Sequence, residues 1–334
     1  MSEISLGIRC ILAPMAGITG YPFRKICLKY GAEFCFTEMI SSEGFLRNDK
    51  KTLELLESGA GIAKTGIQLF GNSAAVLSEA AKKAFDAGFK FIDVNAGCPV
   101  KKVVKTGAGS ALLKDPALFA DIAASVRKSA KDAFFTVKFR SGFDFNSVNF
   151  IKIGKIAEDY GINALFFHPR TRSQMFGGAA DHSQTKKLKE SVKIPVYASG
   201  DVFTAADALN IMNYTGADGI MFARGAVGKP WIFGDYLNIS AAGGRAEKKA
   251  KYMTAMSDKI DILLELNEEI SSFYGETRGF NIMKPHLYSF LKGFKGSKEL
   301  RAAVNNAKSG KENAEILKIL KTKIAPNEYS EPAG

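Results

Sequence analysis

Residues 65–97 read TGIQLFGNSAAVLSEAAKKAFDAGFKFIDVNAG. A short apolar run, TGIQLFG, passes through Ser73 into the amphipathic segment AAVLSEAAKKAF, which stops at Gly88 and leads into a second run, FIDVNAG. A serine ahead of a helix accepts the N–H groups that its first turn leaves unpaired, and a glycine after it takes the turn that ends it. The stretch therefore reads as strand, helix, strand.

The unit recurs. ILAPMAG (11–17), FCFTEMI (34–40), FFTVKFR (134–140), ALFFHPR (164–170), PVYASGD (195–201) and GIMFARG (219–225) add six more strand runs, eight in all. Further helix starts are legible at Asp115-Pro116, ahead of ALFADIAASV, and at Thr204 with Asp207 three residues on. Short, continuously apolar strands alternating with helices are the mark of parallel strands covered on both faces, and eight of them favour closure into a barrel over an open sheet, the TIM (β/α)₈ barrel, which takes roughly 250 residues. The alternative, a doubly wound open sheet, lacks its fingerprint. No GxGxxG follows the first strand, GAGSAL (107–112) has no third glycine, and GAVGKP (225–230) ends in Pro230 where a P-loop needs Ser or Thr.

After Trp231 the strand runs cease. Met253, Met256, Ile260, Leu263, Ile270 and Phe273 recur at helical spacing with a gap at Asn267, and Leu287/Phe290/Leu291, Leu300/Val304 and Leu317/Leu320/Ile324 mark shorter helices. The expected organisation is a barrel over residues 1–240 followed by a small all-α helical bundle domain over 241–334. Gly243-Gly244 marks the join, and the tail frays from Pro326.

The 334 residues carry 46 Lys and Arg against 34 Asp and Glu, a net charge of +12, which favours a polyanionic partner such as nucleic acid. From Gly234 onward the count is 16 Lys and Arg to 13 Asp and Glu, so most of the excess belongs to the barrel. No run of about 20 apolar residues and no apolar leader occurs, so the expectation is a cytoplasmic protein without a membrane span. Cys10, Cys27, Cys35 and Cys98 form no CxxC pair, which excludes a metal ladder and argues against disulfides.

Barrel enzymes carry their chemistry at the C-terminal ends of the strands. Here those ends supply Pro14-Met15-Ala16, Gln68, Asn95 and Cys98, Lys138 and Arg140, then His168, Arg170 and Arg172. Ser199-Gly200-Asp201 and Ala223-Arg224-Gly225 end strands seven and eight with small residues whose N–H groups can approach a phosphate. A lysine inside an apolar strand, as Lys138 is, needs an anionic partner, and the N1/O2 edge of a reduced flavin would supply one. Each residue also admits a purely structural reading. Lys138 pairs with Glu38 or Asp93, Cys98 is an inert small hydrophobe, and His168 is a core histidine. On the same reading Gln68 and Asn95 cap barrel backbone, and Ser199 with its glycine is turn chemistry.

Taken together, LAPMAGIT, TEMIS, IQLFG, DVNAGCPVKKV, GSALL, KFRSGF, HPRTRSQMFGGAADH and ASGDV, spanning about 12–231, resemble the tRNA-dihydrouridine synthases, most closely their bacterial B-type branch. MKPHLYSFLKG (283–293) continues the likeness more weakly. The resemblance implies an FMN-dependent barrel with a C-terminal tRNA-binding domain that reduces the C5=C6 bond of a D-loop uridine with NADPH as reductant. It places FMN at Pro14, Met15, Ala16, Gln68, Lys138, His168, Ser199, Gly200, Asp201, Ala223 and Arg224, and makes Cys98 the general acid. A thiol with an ordinary pKa of about 8.5 stays protonated at neutral pH yet can donate to C5, although nearby Lys101 and Lys102 would favour thiolate.

Asn95 and Arg170 match positions near the flavin and the uridine. Lys101, Lys102, Lys105, Arg170, Arg172, Lys186 and Lys187 are rim candidates for RNA phosphate, and Arg140 joins the substrate-facing and RNA-facing set. On the C-terminal helix Lys284, Tyr288, Lys292 and Lys295 form one stripe, with His286 beside it in the RNA-facing set; for any one lysine a solvated face is the bland reading. The chain is expected to act as a monomer on tRNA and NAD(P)H. Three positions depart from the family pattern: Ser199 for asparagine, Ala223 for glycine, and Pro285, which removes a cation and is expected to start a helix. Two other classes stay open on residues alone. A small-molecule FMN oxidoreductase of the dihydroorotate or dihydropyrimidine type leaves the basic excess unused, and a non-enzymatic RNA-binding module leaves Gln68, Lys138, His168 and Arg224 unexplained.

Overall fold

The computed structural model of the chain describes residues 7–56, 64–241, 255–292, 294 and 296–323. Met253, the Gly243-Gly244 join, Lys295, Ile324 and the tail from Pro326 lie outside the described residues.

The elements run β1 (Cys10–Leu12), α1 (Tyr21–Lys29), β2 (Phe34–Ser41), α2 (Ser42–Leu46), α3 (Lys50–Glu54), β3 (Thr65–Phe70), α4 (Ala74–Asp86), β4 (Phe91–Ala96), α5 (Lys101–Lys105) and α6 (Pro116–Ser129). They continue with β5 (Phe134–Arg140), α7 (Phe150–Asp159), β6 (Ala164–His168), α8 (His182–Ser191), β7 (Val196–Ser199), α9 (Ala205–Thr215), β8 (Gly219–Phe222) and α10 (Ile232–Ala241), and then only helices: α11 (Met256–Tyr274), α12 (Glu276–Phe290), α13 (Ser297–Asn306) and α14 (Gly310–Lys323). All eight strands pair in parallel in chain order, and β8 returns to β1 with Cys10 opposite Ile220, closing the barrel. The fold is a TIM barrel followed by a helical region. Ser73 and Asp115 cap α4 and α6 through their side chains, and Thr204 and Asp207 bond each other's backbone N–H in a capping box.

Two compact units divide the described chain. One comprises 7–16, 33–202 and 210–223 and holds every strand; the other comprises 17–32, 203–209 and the described residues from 224 onward.

In the first unit strands β3 to β7 each send an aliphatic residue to the helices, where Ile67, Val94, Val137, Leu165 and Val196 join one core. Inward, the lower part of the barrel is a plug of rings. Phe34, Phe36, Phe91, Phe134, Phe166 and Tyr197 contact one another with centroids 4.5–5.4 Å apart. Rings that size fit because Gly66 and Gly219 leave room: a Cβ on Gly66 would lie 2.5 Å from Phe36 and one on Gly219 2.4 Å from Tyr197. Burying each ring is worth roughly 4–6 kcal/mol gross, from about 150–250 Å² at 25 cal/mol per Å². This rigid floor lifts the next inward residues toward the C-terminal mouth.

In the second unit Ile260, Leu263, Leu266 and Ile270 of α11 are buried on one stripe, and Asn267, the gap in that stripe, is buried with its amide donating to the Gly310 carbonyl at 2.9 Å. Pro285 does not start a helix; it lies inside α12, which begins nine residues earlier after Gly275 at φ +78°. Burial of Phe280, Met283, Leu287 and Phe290 on one face carries the helix across the missing N–H.

His286 is also a correction. It is wholly buried rather than turned to RNA: its Nδ1 accepts the Gly228 N–H at 3.2 Å, and its ring lies 4.5 Å from Phe23. Burial holds the imidazole neutral, lowering its pKa to about 3. A group whose folded pKa lies below its ordinary 6.5 contributes stability that is complete above that value and lost as pH falls from there toward 3. Urea unfolding should therefore show roughly 1.4 kcal/mol less stability at pH 5.5 than at 7.5 from this group, and His286→Leu should remove that component. An unchanged pH slope in the variant would contradict the assignment.

Candidate active site

Ladder register assembles the site. Gln68 lies opposite Asp93 between β3 and β4, Asn95 opposite Lys138 between β4 and β5, and Arg140 opposite His168 between β5 and β6. Parallel strands put all of these at one end of the barrel.

A chain of hydrogen bonds crosses three strands. Thr136 Oγ1 donates to Asp93 Oδ1 at 2.8 Å, and Gln68 Nε2 donates to Asp93 Oδ2 at 2.7 Å. Asn95 Nδ2 donates to Gln68 Oε1 at 2.8 Å, while Asn95 Oδ1 accepts the N–H groups of Gly97 at 3.0 Å and Cys98 at 2.8 Å. Asn95 thus caps backbone, as its structural reading holds, and what it caps is the Cys98 turn. From the far side Ser110 secures the same turn, its N–H and hydroxyl both donating to the Cys98 carbonyl at 3.1 and 2.9 Å. Gly109 at φ +63° is required there, since a Cβ would lie 2.9 Å from that carbonyl.

Cys98 is half-buried and a free thiol, whereas Cys10, Cys27 and Cys35 are buried. Burial pushes the Cys98 thiol above its ordinary pKa; the Val100 N–H and the charges of Arg140 and Lys138 pull it back and lose. The cations that act on it are those two, not the adjacent Lys101 and Lys102. The group is held as a thiol.

Lys138 reaches the barrel mouth with no hydrogen bond or ion pair to its ammonium among the described residues; neither Glu38 nor Asp93 pairs with it. Burial and the nearby Arg140 charge lower its pKa to about 8, against the opposing pull of Asp93. Asp93 beneath it is fully buried, and burial raises its carboxyl to about 7 despite its two hydrogen bonds and Lys138. An ammonium kept near such groups without a counter-anion is a seat for an anionic ligand.

The remaining cations divide. Arg140 and Arg170, expected at the RNA rim, are spent on the protein itself. Arg140 is buried, donating to the carbonyls of Gly97 (3.0 Å), Thr171 (3.0 Å) and Met175 (2.8 Å), which ties the cysteine turn to the loop after β6. Arg170 is buried and forks onto Asp201, Nη1 to Oδ1 at 2.8 Å and Nη2 to Oδ2 at 2.5 Å, with further bonds to the Gly177 and Gly178 carbonyls. Asp201, expected at the cofactor, also accepts the Ala180 N–H at 2.9 Å. Because removing the half-buried Asp201 strands the charge of the buried Arg170, Asp201→Ala should cost about 3 kcal/mol in denaturant unfolding; a loss under about 1 kcal/mol would contradict the pairing's structural role.

The same guanidinium sets the state of His168, since Nη1 lies 3.2 Å from His168 Nε2 and makes that nitrogen an acceptor. Gly200, at φ +108°, lies where a Cβ would fall 2.5 Å from the His168 ring, so only glycine permits this approach. His182, a residue the sequence reading did not single out, donates Nε2–H to the Gly200 carbonyl at 3.0 Å and so braces the 199–201 turn. Ser199 is buried, and Ala223, Pro14 and Met15 are half-buried, with Ala16 exposed. Lys101 and Lys102 are exposed on α5; Arg172 lies over the Phe143 ring at 5.2 Å.

In the second unit Arg224 stacks over Phe203 at 5.2 Å, Lys284 over Phe280 at 4.1 Å, the Tyr288 hydroxyl bonds Asn305, and Lys292 is exposed. Among the described residues no three His, Cys, Asp or Glu are grouped to hold a metal, and no helix is long and apolar enough to cross a membrane.

Residues 11–325 match the family model described as dihydrouridine synthase (Dus). The chain belongs to the dihydrouridine synthase family. This family of tRNA-modifying enzymes includes curated relatives such as tRNA-dihydrouridine synthase B of Pseudomonas aeruginosa, 38% identical over 298 residues covering 89% of this chain and 88% of that protein. The probable tRNA-dihydrouridine synthase of Rickettsia bellii is 38% identical over 308 residues, covering 91% and 92%. Among solved structures, 6-hydroxypseudooxynicotine amine oxidase of Pseudomonas geniculata is 13% identical with a TM-score of 0.53 over 71% of this chain and 47% of that one, a likeness of fold. In this member of the dihydrouridine synthase family the motif DVNAGCP thus has a structural account: Asp93 is buried and bonds Gln68, the N–H groups of Gly97 and Cys98 donate to Asn95 Oδ1, and Pro99 is buried.

Proposed function

We propose that the chain is a flavin-dependent tRNA-dihydrouridine synthase that reduces the C5=C6 bond of a D-loop uridine, with FMN as cofactor and NADPH as reductant. The observation that carries this is the Lys138 ammonium, which makes no ion pair among the described residues and is level in register with Asn95, whose own amide secures the Cys98 turn.

These residues fit FMN. The cation suits the N1/O2 edge, which becomes anionic on reduction, and the half-buried Pro14-Met15 segment and the glycine turn braced by His182 offer backbone at strand ends. Bound FMN supplies the hydride that the uracil C6 requires. Lys138 would hold the cofactor's anionic edge, with Gln68 and His168 beside it. Cys98, kept protonated by burial, would deliver the proton to C5; an acid that must donate gains from a raised pKa.

On the RNA side Lys101, Lys102 and Arg172 of the barrel, with Lys284 on α12 and Lys292 just past its end, are the cations to meet phosphate, and the region from 241 onward would serve as the tRNA-binding domain. Extruding the uridine costs a few kcal/mol, which several phosphate contacts offset. The protein would act as a cytoplasmic monomer.

The test is to purify the protein, record its visible spectrum, and supply NADPH with unmodified tRNA, mapping dihydrouridine by mass spectrometry. A yellow protein forming dihydrouridine in the D-loop is expected. A colourless protein that FMN does not reconstitute, or a flavoprotein that reduces free uracil and leaves tRNA unchanged, would overturn the proposal.

A further inference from the structure

We propose that Asp93, buried beneath the site, is a positioning residue that fixes the orientation of the Cys98 turn through Gln68 and Asn95. The inference rests on the reading of Cys98 as the acid.

Amide side chains have a donor end and an acceptor end, and which end faces which neighbour is decided by partners of fixed polarity. Asp93 Oδ2 faces Gln68 as an acceptor in either protonation state, because a proton on the carboxyl can sit on Oδ1, whose partner is the rotatable Thr136 hydroxyl; Gln68 must therefore turn its NH₂ toward Oδ2, 2.7 Å away. That turns Gln68 Oε1 toward Asn95, which must answer with its NH₂ at 2.8 Å. Only then does Asn95 Oδ1 point at the N–H groups of Gly97 and Cys98, which can only donate. The polarity of one carboxylate is therefore passed through two amides to the cysteine backbone.

Reversing either amide sets donor against donor in a buried place, where an unsatisfied group costs about 1–3 kcal/mol. Gln68 is 1% exposed and Asn95 7%, so water does not readily relieve the mismatch. Asp93 touches neither tip of the site; its remaining bond is from the Thr136 hydroxyl, which also lies 3.5 Å from the Ile92 carbonyl. That hydroxyl can rotate to accept instead of donate. Asparagine at position 93 would then keep its oxygen toward Gln68 and give its NH₂ to Thr136, preserving the relay, whereas leucine, of similar volume, offers nothing to either.

The experiment compares wild type, Asp93→Leu and Asp93→Asn, each with saturating FMN. Iodoacetamide labelling of Cys98, located by mass spectrometry, is read alongside kcat and KM for unmodified tRNA. In Asp93→Leu the released turn should label at least about fivefold faster, and kcat should fall about 30- to 100-fold with KM within about threefold, since misplacing a reacting group by about 1 Å costs about 10²-fold. Asp93→Asn should stay within about threefold of wild type on every readout.

Wild-type labelling and kcat in Asp93→Leu, or an Asp93→Asn variant as impaired as the leucine variant, would overturn the proposal. Should Asp93→Leu not fold, Gln68→Met cuts the same relay one link later, and unchanged Cys98 labelling there overturns it equally. Labelling needs no turnover, so a wild type that makes no dihydrouridine removes the functional reading while the labelling still decides the role of Asp93.

Discussion

Cys98→Ala is expected to bind flavin as wild type does and to form dihydrouridine about 10²–10⁴ times more slowly, the usual contribution of a positioned general acid. The expectation follows from where the residue lies. Its turn is secured by Asn95 from one side and by Ser110 from the other, so deleting one sulfur leaves the backbone bonds in place. Burial keeps the thiol protonated, which suits donation and works against nucleophilic attack. Single-turnover mixing of the reduced variant with unmodified tRNA isolates the step. If the alanine variant oxidises its flavin at the wild-type rate, Cys98 plays no part in proton delivery.

Lys138→Met should separate binding from folding. An ammonium at hydrogen-bond distance of an anionic edge is worth roughly 1.5–3 kcal/mol, so FMN affinity should fall about 10- to 150-fold, more for the reduced form than the oxidised. The apoprotein should nonetheless be no less stable, because its ammonium makes no ion pair among the described residues and burial already lowers its pKa to about 8. The same value gives the pH dependence: Lys138 is cationic below about pH 8, so affinity for reduced flavin should decline as pH rises through it. Flavin titrations and melting curves of the two apoproteins check both halves. Undiminished affinity, or a loss of affinity matched by a loss of stability, would contradict the assigned role.

The barrel was legible because its strands and helix starts are local signals. Ser73, Asp115 and the Thr204–Asp207 pair cap where the sequence says they should, and each of the eight apolar runs overlaps a strand. Lys138 was legible for a related reason, being a charge among apolar neighbours. What sequence does not convey is how the cations are spent. Arg140 and Arg170 look like rim residues because each lies past a strand, yet one clamps three carbonyls and the other forks onto Asp201. Those partners are 31 to 43 residues away, beyond any local pattern.

His286 and Pro285 mislead similarly. A polar residue and a helix breaker in a basic stretch suggest an exposed helix start, but the apolar residues around them bury that stretch in mid-helix. Asp93 was visible only as a possible partner for Lys138. Its link to Asn95, two residues on and on the same face of the strand, passes through Gln68 on another strand.

The most direct measurement is a single turnover without NADPH: the protein, loaded with FMN and reduced beforehand, is mixed with unmodified tRNA while flavin colour and dihydrouridine are followed together. The account predicts that the colour of oxidised flavin returns as dihydrouridine appears in the D-loop, about one for each flavin oxidised, as expected for one hydride transferred per reduced cofactor. Flavin that stays reduced in the presence of tRNA, or that reoxidises anaerobically without any dihydrouridine, would contradict it.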